Sequence, residues 1–285
     1  MNSKIVTQFN INDTEFDLLR KLIKEVSGIN LSNQKKMLVV ARLSKRLRAL
    51  GMSSFTKYYN YVTKDPAGRQ ELNHLVNRIT TNKTDFYRES HHFEFLQDVL
   101  LPQLYEEGIR SSNRRLRIWS AGCSSGEEPY TIAITLKEFF KGKLGWDIKV
   151  LATDLDTEML DKAKKGIYDE QAVAPIPPEY LRDYFMRGTG ANSGLYKVKD
   201  SLKDIIAFRK HNMVSDDLPA KNPFDIIFCR NVIIYFDEET KEKVINRFYD
   251  CLRSNGYLFL GHSESLIGCE SQFKLVGNSI CLKVD

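Results

Sequence analysis

The strongest constraint on the fold of this chain lies in residues 116–134, which read LRIWSAGCSSGEEPYTIAI. The pattern predicts a short buried strand, a tight glycine-containing turn and a helix whose first turn carries two acidic residues. A second apolar run, IKVLATDLD at residues 148–156, follows and ends in an acidic residue. A strand, a turn, a helix and a second strand in this order predict an α/β sheet with a ligand crevice at the carboxyl ends of its strands.

The alternation of strands and helices continues to the C-terminus and predicts a doubly wound, mostly parallel sheet. The predicted strands are residues 116–120, 148–153, 206–210, 224–229, 257–261, 273–276 and 280–284. The last two are too close in sequence for a crossover helix, so they should pair antiparallel. Residues 157–205 break the alternation with a Pro-rich and a Gly-rich turn, which predict a small antiparallel β insertion at about residues 165–205.

The N-terminal region has a different character, because its first 80 residues contain no convincing strand. Caps and apolar spacing predict four helices, at residues 13–26, 34–50, from 53 onward, and 68–79. We therefore expect a helical domain at residues 1–80 and an α/β domain at residues 81–285. Residues 26–64 contain eight Lys or Arg and no Asp or Glu, so an acidic partner, either a nucleic acid or an acidic protein helix, is expected there.

Composition argues against several classes of protein. No apolar run approaches the ~20 residues needed to span a bilayer, and the N-terminal segment lacks the pattern of a signal peptide. The five cysteines are widely spaced and form no CxxC pair, which predicts reduced thiols in a cytoplasmic protein rather than disulfides or a zinc site. His91 and His92 are adjacent and would point apart on a helix, so no metal site is expected.

The glycine turn at residues 122–126 indicates the kind of ligand. It is not a GxGxxG turn, and Glu127 and Glu128 at the helix start would repel a phosphate. A neutral or cationic adenosine ligand therefore fits better than a dinucleotide, and Asp154 at the end of the second strand suits a ribose diol. The alternative is an ordinary strand–helix turn whose acidic residues favour the helix dipole.

The same five residues also satisfy GxSxG, the turn that carries the nucleophilic serine of α/β-hydrolases. Asp225 and His262 lie downstream and could complete a catalytic triad. That turn normally follows several strands of the sheet, whereas here it follows the first, so the sequence disfavours a hydrolase.

Two further segments carry polar residues that could reach the crevice. Asn82, Thr84 and Arg88 could line a pocket, although their spacing alone favours Thr84 as a helix cap. Arg230 and Asn231 follow the fourth predicted strand directly and should face the crevice.

Seven stretches together resemble the CheR-type chemotaxis receptor methyltransferases, and the resemblance covers nearly the whole chain. They are ARLSKRLRALG, TTNKTDFYRESHHF, WSAGCSSGEEPYTIAI, ATDLDTEML, YFMRGTG, FDIIFCRNVIIYFD and GHSES. The resemblance implies a Rossmann-like S-adenosylmethionine-dependent methyltransferase domain that follows a small helical domain and carries a small antiparallel β insertion. It also implies an enzyme that methylates glutamate side chains on the cytoplasmic helices of chemoreceptors, releases S-adenosylhomocysteine and uses no metal.

The resemblance also assigns roles to individual residues. The implied cofactor contacts are Asn82, Thr84, Arg88, Glu128, Asp154, Asn212, Met213, Arg230 and Asn231. Tyr235 would lie near the transferred methyl group, and the implied catalytic residues are Arg88 and Tyr235. The residues that would face the acidic receptor bundle are Arg42, Lys45, Arg46 and Arg48. Those that would hold a receptor tail peptide on the β insertion are Gly188, Gly190 and Gly194.

The implied chemistry agrees with the residues present. A glutamate carboxylate has a pKa of about 4.3 and is ionised at neutral pH, so it needs no general base, and the sequence offers no obvious His–carboxylate dyad. Catalysis would rest mainly on proximity and alignment. We expect a cytoplasmic monomer that binds no nucleic acid and reaches the membrane only through receptors. The competing hypotheses are a nucleic-acid methyltransferase, motivated by the basic segment, and a non-catalytic adaptor that binds receptors.

Overall fold

The computed structural model describes residues 9–266, 268 and 271–284. Cys269, which we predicted to be a reduced thiol, and the first eight residues of the N-terminal segment lie outside the described residues; the other four cysteines are buried free thiols. The chain forms two compact units. The first comprises the residues up to Thr81 together with Tyr235–Asp237, and the second comprises Asn82–Ile234 and the residues from Glu238 onward.

The first unit is built from helices. They are α1 (Asp13–Ser27), α2 (Lys36–Ala49), α3 (Phe55–Lys64) and α4 (Arg69–Ile79). Asn12 and Glu15 form a capping box at the start of α1, and Gly28 ends the helix in the left-handed conformation with φ 77°. Apolar residues at helical spacing in α2 pack into the core of this unit: Val39, Leu43 and Leu47 are fully buried, and Leu50 is partly buried.

The second unit contains ten strands and the remaining helices of the described residues. The strands are β1 (Arg115–Ala121), β2 (Asp147–Asp154), β3 (Ile167–Asp169), β4 (Phe185–Arg187), β5 (Leu195–Val198), β6 (Ile206–Lys210), β7 (Phe224–Cys229), β8 (Leu252–Leu260), β9 (Phe273–Gly277) and β10 (Ile280–Lys283). The helices are α5 (His91–Phe95), α6 (Leu101–Ser111), α7 (Glu127–Phe139), α8 (Thr157–Lys165), α9 (Glu170–Val173), α10 (Pro178–Tyr184), α11 (Asp200–Lys203) and α12 (Glu238–Cys251).

Seven strands form one sheet in the order β6-β2-β1-β7-β8-β10-β9. The pairs from β6 to β8 are parallel, whereas β10 pairs antiparallel with both β8 and β9. This confirms the predicted doubly wound sheet with an antiparallel end. The chain leaves β1 toward β2 on one side and returns to β7 on the other, so the strand order reverses at β1. A crevice at the carboxyl ends of these strands is the usual ligand site of such a sheet.

The predicted β insertion is a separate three-stranded antiparallel sheet in the order β3-β5-β4. Its inward side chains include Tyr168, Phe185 and Tyr196, which are buried and pack in one cluster with Phe86 and Tyr130. An aromatic core therefore packs the insertion against the rest of the second unit.

Candidate functional site

The turn after β1 is shaped by backbone conformations that require glycine. Gly122 and Gly126 have φ values of 83° and 102°. A β-carbon on Gly122 would lie 2.5 Å from Cγ2 of Val232, and one on Gly126 would lie 2.9 Å from the hydroxyl oxygen of Tyr168. Since both positions combine a positive φ with a close neighbour, no larger residue fits. The turn forms a tight backbone cradle at the carboxyl end of β1.

Asp154 ends β2 and lies beside this cradle. Its carboxylate accepts a 2.7 Å hydrogen bond from the backbone N–H of Ser124 and a 2.8 Å bond from the N–H of Asp156. Burial raises the pKa of Asp154 to about 6, although these backbone donors oppose the shift. An ionised carboxylate has about four acceptor sites, so the backbone donors leave capacity to accept from a diol.

Asn82 and Asp156 connect a third segment to the cradle. The side-chain amide of Asn82 donates a 2.8 Å hydrogen bond to Asp156, and the Ser124 hydroxyl donates a 2.9 Å bond to the carbonyl of Asn82. Asp156 also caps α8. Asn82 and Asp154 are thus brought together through Ser124 and Asp156.

The segment that follows Asn82 corrects one expectation. Thr84 does not cap a helix, because α5 begins only at His91 and the residues before it form turns. Thr84 is half-buried. The Arg88 guanidinium donates a 3.0 Å hydrogen bond to the carbonyl of Lys83 and so folds back onto its own loop. The short polar residues here have the composition of a helix cap. The segment instead forms a loop, which the hydrogen bond from Arg88 to Lys83 closes.

A buried ionic cluster lies at the carboxyl end of β7. Arg230 is 7% exposed and lies between Glu128, at 3.3 Å, and Glu89, at 3.2 Å. The same guanidinium donates to the carbonyl of Arg88, and the Ser120 hydroxyl donates a 2.7 Å bond to Glu128. Burial raises the pKa of Glu128 while Arg230 and Ser120 oppose that shift. The pKa of Glu89 is lowered, because Arg230 and further hydrogen bonds outweigh its burial.

Asn212 and Met213 follow β6 and are both buried. The side-chain oxygen of Asn212 accepts a 3.0 Å bond from the N–H of Val214 and shapes the turn. His211 joins this turn to β2, because its N–H donates to the carbonyl of Asp154. The predicted contacts Asp154, Asn212 and Met213 therefore lie at the carboxyl ends of two neighbouring parallel strands, β2 and β6.

The remaining predicted catalytic residue, Tyr235, ends a short 3₁₀ helix that starts at Ile233. By its contacts it belongs to the helical unit, where its carbonyl accepts a 2.8 Å bond from the N–H of Asn30. Tyr235 and the cluster around Arg230 therefore belong to different compact units.

Two histidines lie beside carboxylates, which the sequence did not indicate. Nδ1 of His92 is 3.5 Å from Glu89, and Nδ1 of His211 is 3.6 Å from Asp216. His92 is fully buried, and burial lowers its pKa to about 4, so it is neutral at physiological pH. Burial also lowers the pKa of His211. Both rings are buried near the site, so neither is an exposed general base.

The hydrolase alternative is wrong on geometry. Asp225 lies at the start of β7, and because β1 and β7 are parallel it sits at the opposite end of the strands from the glycine turn. It accepts a 2.7 Å bond from the backbone of Arg117 and pairs with Arg253. The Ser124 hydroxyl is used in a bond to Asn82. These residues cannot form a triad.

The basic helix α2 divides into two kinds of residue. Arg46 pairs with the buried Glu71 of α4 through two hydrogen bonds of 2.9 and 2.5 Å, and Arg42 donates to the carbonyls of Ile79 and Thr80. These two side chains therefore stabilise the helical unit. Lys45 and Arg48 are exposed, and the Arg48 guanidinium lies 5.6 Å from the ring of Phe9.

The three glycines of the β insertion lie in the connection between β4 and β5. The N–H of Gly188 donates a 2.7 Å bond to the carbonyl of Leu195. A β-carbon at Gly188 would clash with the carbonyl oxygen of Asn192 at 2.1 Å, whereas Gly190 and Gly194 have open space but positive φ values of 59° and 82°. All three are required by the turn itself.

Comparison with known proteins establishes the class. Residues 82–281 match the family model described as "CheR methyltransferase, SAM binding domain", so the second unit is the S-adenosylmethionine-binding domain of a methyltransferase. Residues 14–80 match "CheR methyltransferase, all-alpha domain".

Individual relatives agree with these matches. The chain is 42% identical over 267 residues to "Chemotaxis protein methyltransferase" of Borreliella burgdorferi, and the match covers 93% of each chain. It is 39% identical over 271 residues to the protein of the same name from Escherichia coli, over 95% of this chain and 91% of that one. The chain belongs to the CheR methyltransferase family.

The described residues fit this cofactor. The cradle at Gly122 leaves no room for a β-carbon, and the Asp154 carboxylate beside it can accept from a ribose diol. The Nε of Arg230 is buried without a hydrogen-bond partner among the described atoms, so its N–H group could donate to a bound ligand. No group of three or more His, Cys, Asp or Glu in the described part of the chain could hold a metal ion. None of the helices described is long and apolar enough to cross a bilayer.

If Asp154 binds the ribose diol, as the resemblance implies, cofactor affinity should fall in acid, because the diol would donate to the ionised form of this carboxyl, whose pKa is raised to about 6. Above pH 6 we expect a constant affinity for S-adenosylhomocysteine, and below it a decrease of about tenfold per pH unit. The ligand-free fold behaves oppositely: a carboxyl with a raised pKa contributes stability at low pH that is lost as pH rises through 6.

Isothermal titration calorimetry between pH 5 and 8 measures the affinity. The control is Asp154→Asn, which should bind weakly with no such dependence on pH. An equal acid dependence in that variant would assign the titration to another carboxyl, such as Glu128.

Proposed function

We propose that this protein transfers the methyl group of S-adenosylmethionine to glutamate side chains of chemoreceptors, forming methyl esters that tune chemotactic signalling. Support comes from its membership in the CheR methyltransferase family and from relatives named chemotaxis protein methyltransferase. The observation that carries the proposal is the buried Asp154 beside a turn in which Gly122 and Gly126 have no room for a β-carbon. When bound, the cofactor supplies an electrophilic methyl group on a positively charged sulfur.

The chain's own residues would bind and orient the reactants. Asp154, Asn82, Asn212 and Met213 would hold the adenosine part, and the Glu128–Arg230 pair would hold the amino-acid part. A substrate glutamate is ionised at neutral pH, with a pKa of about 4.3, so no proton needs to be removed before it attacks. Alignment alone can contribute several kcal/mol, roughly 7–11 in favourable cases.

Arg88 and Tyr235 are proposed to position the acceptor carboxylate. Arg88 retains donors beyond its single bond to Lys83, because a guanidinium has five N–H groups. A weak, partly exposed contact suits this role, since a tight ion pair would lower the nucleophilicity of the carboxylate.

The helical domain, residues 1–80, is proposed to recognise the receptor. Lys45 and Arg48 are exposed on α2 and would face an acidic helical bundle, whereas Arg46 is committed to Glu71. Within α2 the recognition surface is then smaller than the four cations of the sequence suggest. The β insertion is proposed to hold a receptor tail peptide, and the protein to act as a cytoplasmic monomer.

The test is transfer of labelled methyl groups to receptor-containing membranes. A base-labile methyl ester on the receptor is expected, and it should fall when Lys45 and Arg48 are replaced by glutamate while binding of S-adenosylhomocysteine is unchanged. Lys21→Glu, at an exposed lysine of α1 that lies outside the basic segment, is the matched control. Acid-stable methyl on nucleic acid would instead favour a nucleic-acid methyltransferase. Cofactor binding without any transfer would indicate an adaptor.

A further inference from the structure

The GHSES stretch contains a carboxylate with an unusual set of partners. Glu264 accepts hydrogen bonds from four backbone N–H groups, at Gly261 (2.6 Å), Asn231 (2.8 Å), Val232 (2.8 Å) and Ile234 (3.3 Å). Three of these donors lie in the segment after β7, which includes the short 3₁₀ helix at Ile233–Tyr235, and the fourth follows β8. Because β7 and β8 are parallel neighbours, their carboxyl ends meet at one edge, and Glu264 ties the two loops together.

The loop that Glu264 holds contains a residue in the left-handed region. Asn231 has a φ of 59°, a conformation that asparagine adopts more readily than most residues other than glycine. On its other side, the Asn231 side chain donates to Glu89 at 3.4 Å, and Glu89 itself has a φ of 55°. Left-handed residues other than glycine persist only when their surroundings overdetermine them. Two carboxylates, Glu89 and Glu264, supply that constraint.

Gly261 provides an independent sign of close fit. A β-carbon there would lie 2.6 Å from Nδ2 of Asn231, 2.8 Å from its backbone nitrogen and 2.8 Å from Oε2 of Glu264. Its φ lies outside the left-handed region, so the reason for glycine is contact with the loop and not backbone conformation. The loop after β8 therefore presses directly on Asn231.

We propose that Glu264 is a positioning residue that fixes the Arg230–Asn231 turn in the conformation that receives the amino-acid part of the cofactor, an inference that rests on the proposed function. Glu264 acts through the turn and does not itself touch the reactants. The turn connects to the site because Arg230 contacts Glu128 at 3.3 Å. If the turn relaxed to a negative φ, Asn231 and the adjoining Arg230 would shift together.

The energetic cost of Glu264 supports a positioning role. Burial raises the pKa of this carboxyl, and the four backbone donors only oppose that effect. A loop without special requirements could be closed by uncharged groups at lower cost. The Glu264 carboxylate therefore holds together four backbone N–H groups from two separate segments.

The experiment measures the Kd for S-adenosylhomocysteine, with binding stoichiometry and thermal unfolding recorded on the same samples. In Glu264→Ala the Kd should rise about tenfold or more, which corresponds to at least ~1.4 kcal/mol. Glu264→Gln, which retains one acceptor, should lie between this variant and the natural protein. Gly261→Ala keeps the carboxylate, but its β-carbon would clash with Asn231. Its Kd should therefore also rise about tenfold, which corresponds to ~1.4 kcal/mol. Glu107→Gln, whose side chain is 53% exposed and pairs with Arg253, is the control and should bind unchanged.

A merely structural role predicts a different result. It would lower the melting temperature or the stoichiometry while the folded fraction kept the natural Kd, and that outcome in Glu264→Ala would overturn the proposal. Should Glu264→Ala fail to fold, an unchanged Kd in Gly261→Ala would overturn it equally. Binding is measured without receptor, so absence of receptor methylation by the natural protein would contradict the proposed function and leave the Kd comparison able to decide on Glu264.

Discussion

Replacing Asp154 with alanine should weaken binding of S-adenosylhomocysteine by about 100-fold or more. Hydrogen bonds to a charged group contribute about 1.5–3 kcal/mol each, and a ribose diol would lose two of them. The variant also loses the acceptor for the N–H groups of Ser124 and Asp156, so the cradle itself would loosen. Calorimetric titration at pH 7.5 measures the effect.

Asp147 offers a matched control, because it lies at the other end of the same strand β2. Its side chain is 57% exposed and pairs with Arg117. Asp147→Ala should bind the ligand with natural affinity. Near-natural affinity in Asp154→Ala, with circular dichroism showing an intact fold, would mean that the cofactor lies elsewhere.

The second large effect should follow from Arg230→Met, which is expected to destabilise the fold by about 3–5 kcal/mol at pH 7.5. The substitution removes the cation between Glu89 and Glu128 and leaves two negative charges close together in a buried site. Their pKa values would rise in the variant. The loss should therefore be largest at neutral pH and should shrink as pH falls and the carboxyls take up protons.

Chemical denaturation at pH 7.5 and pH 5.5 measures this difference. Arg182→Met is the control, since Arg182 is 76% exposed and its partner Asp183 is adjacent in sequence; its effect should stay within about 0.5 kcal/mol. An equal loss of stability at both pH values would contradict the electrostatic explanation and point to lost packing against Phe93, whose ring lies 5.5 Å from the guanidinium.

The local elements of the fold could be predicted because their causes are local. The glycine turn after β1, the acid at the end of β2 and the strands β6 and β7 follow from apolar runs, caps and turn residues a few positions apart. The antiparallel pairing of the last two strands follows from the shortness of their connection. The family resemblance added the reading of the crevice as a site for S-adenosylmethionine.

The sequence did not indicate the contacts that organise the Thr84 loop and the basic helix α2. Thr84 has the composition of a helix cap, but Arg88 folds back onto the carbonyl of Lys83, and the next helix begins only at His91. The basic segment contains no acidic residue, as the sequence showed, and the partner of Arg46 is Glu71, on the next helix but one. A count of charges within one segment cannot detect such a partner.

The sequence alone does not mark Glu89 or Glu264 as site residues, although both belong to stretches that carry the resemblance. Neither has a recognisable pattern of its own, since Glu89 follows an arginine and Glu264 lies between two serines. A contact with Asn231 would have to be inferred across 142 residues for Glu89 and 33 for Glu264.

What the sequence by itself determined is the class of fold, the order of its elements and the two positions, Gly122 and Asp154, that shape one side of the crevice. Each depends on backbone conformation or on the place where a strand ends, and neighbouring residues decide both. Only the tertiary structure decided which carboxylates are buried together, which cation neutralises them, and that Asp225 lies at the far end of the strands. The physical reason is that burial and charge pairing depend on which strands become neighbours, a property of the whole sheet.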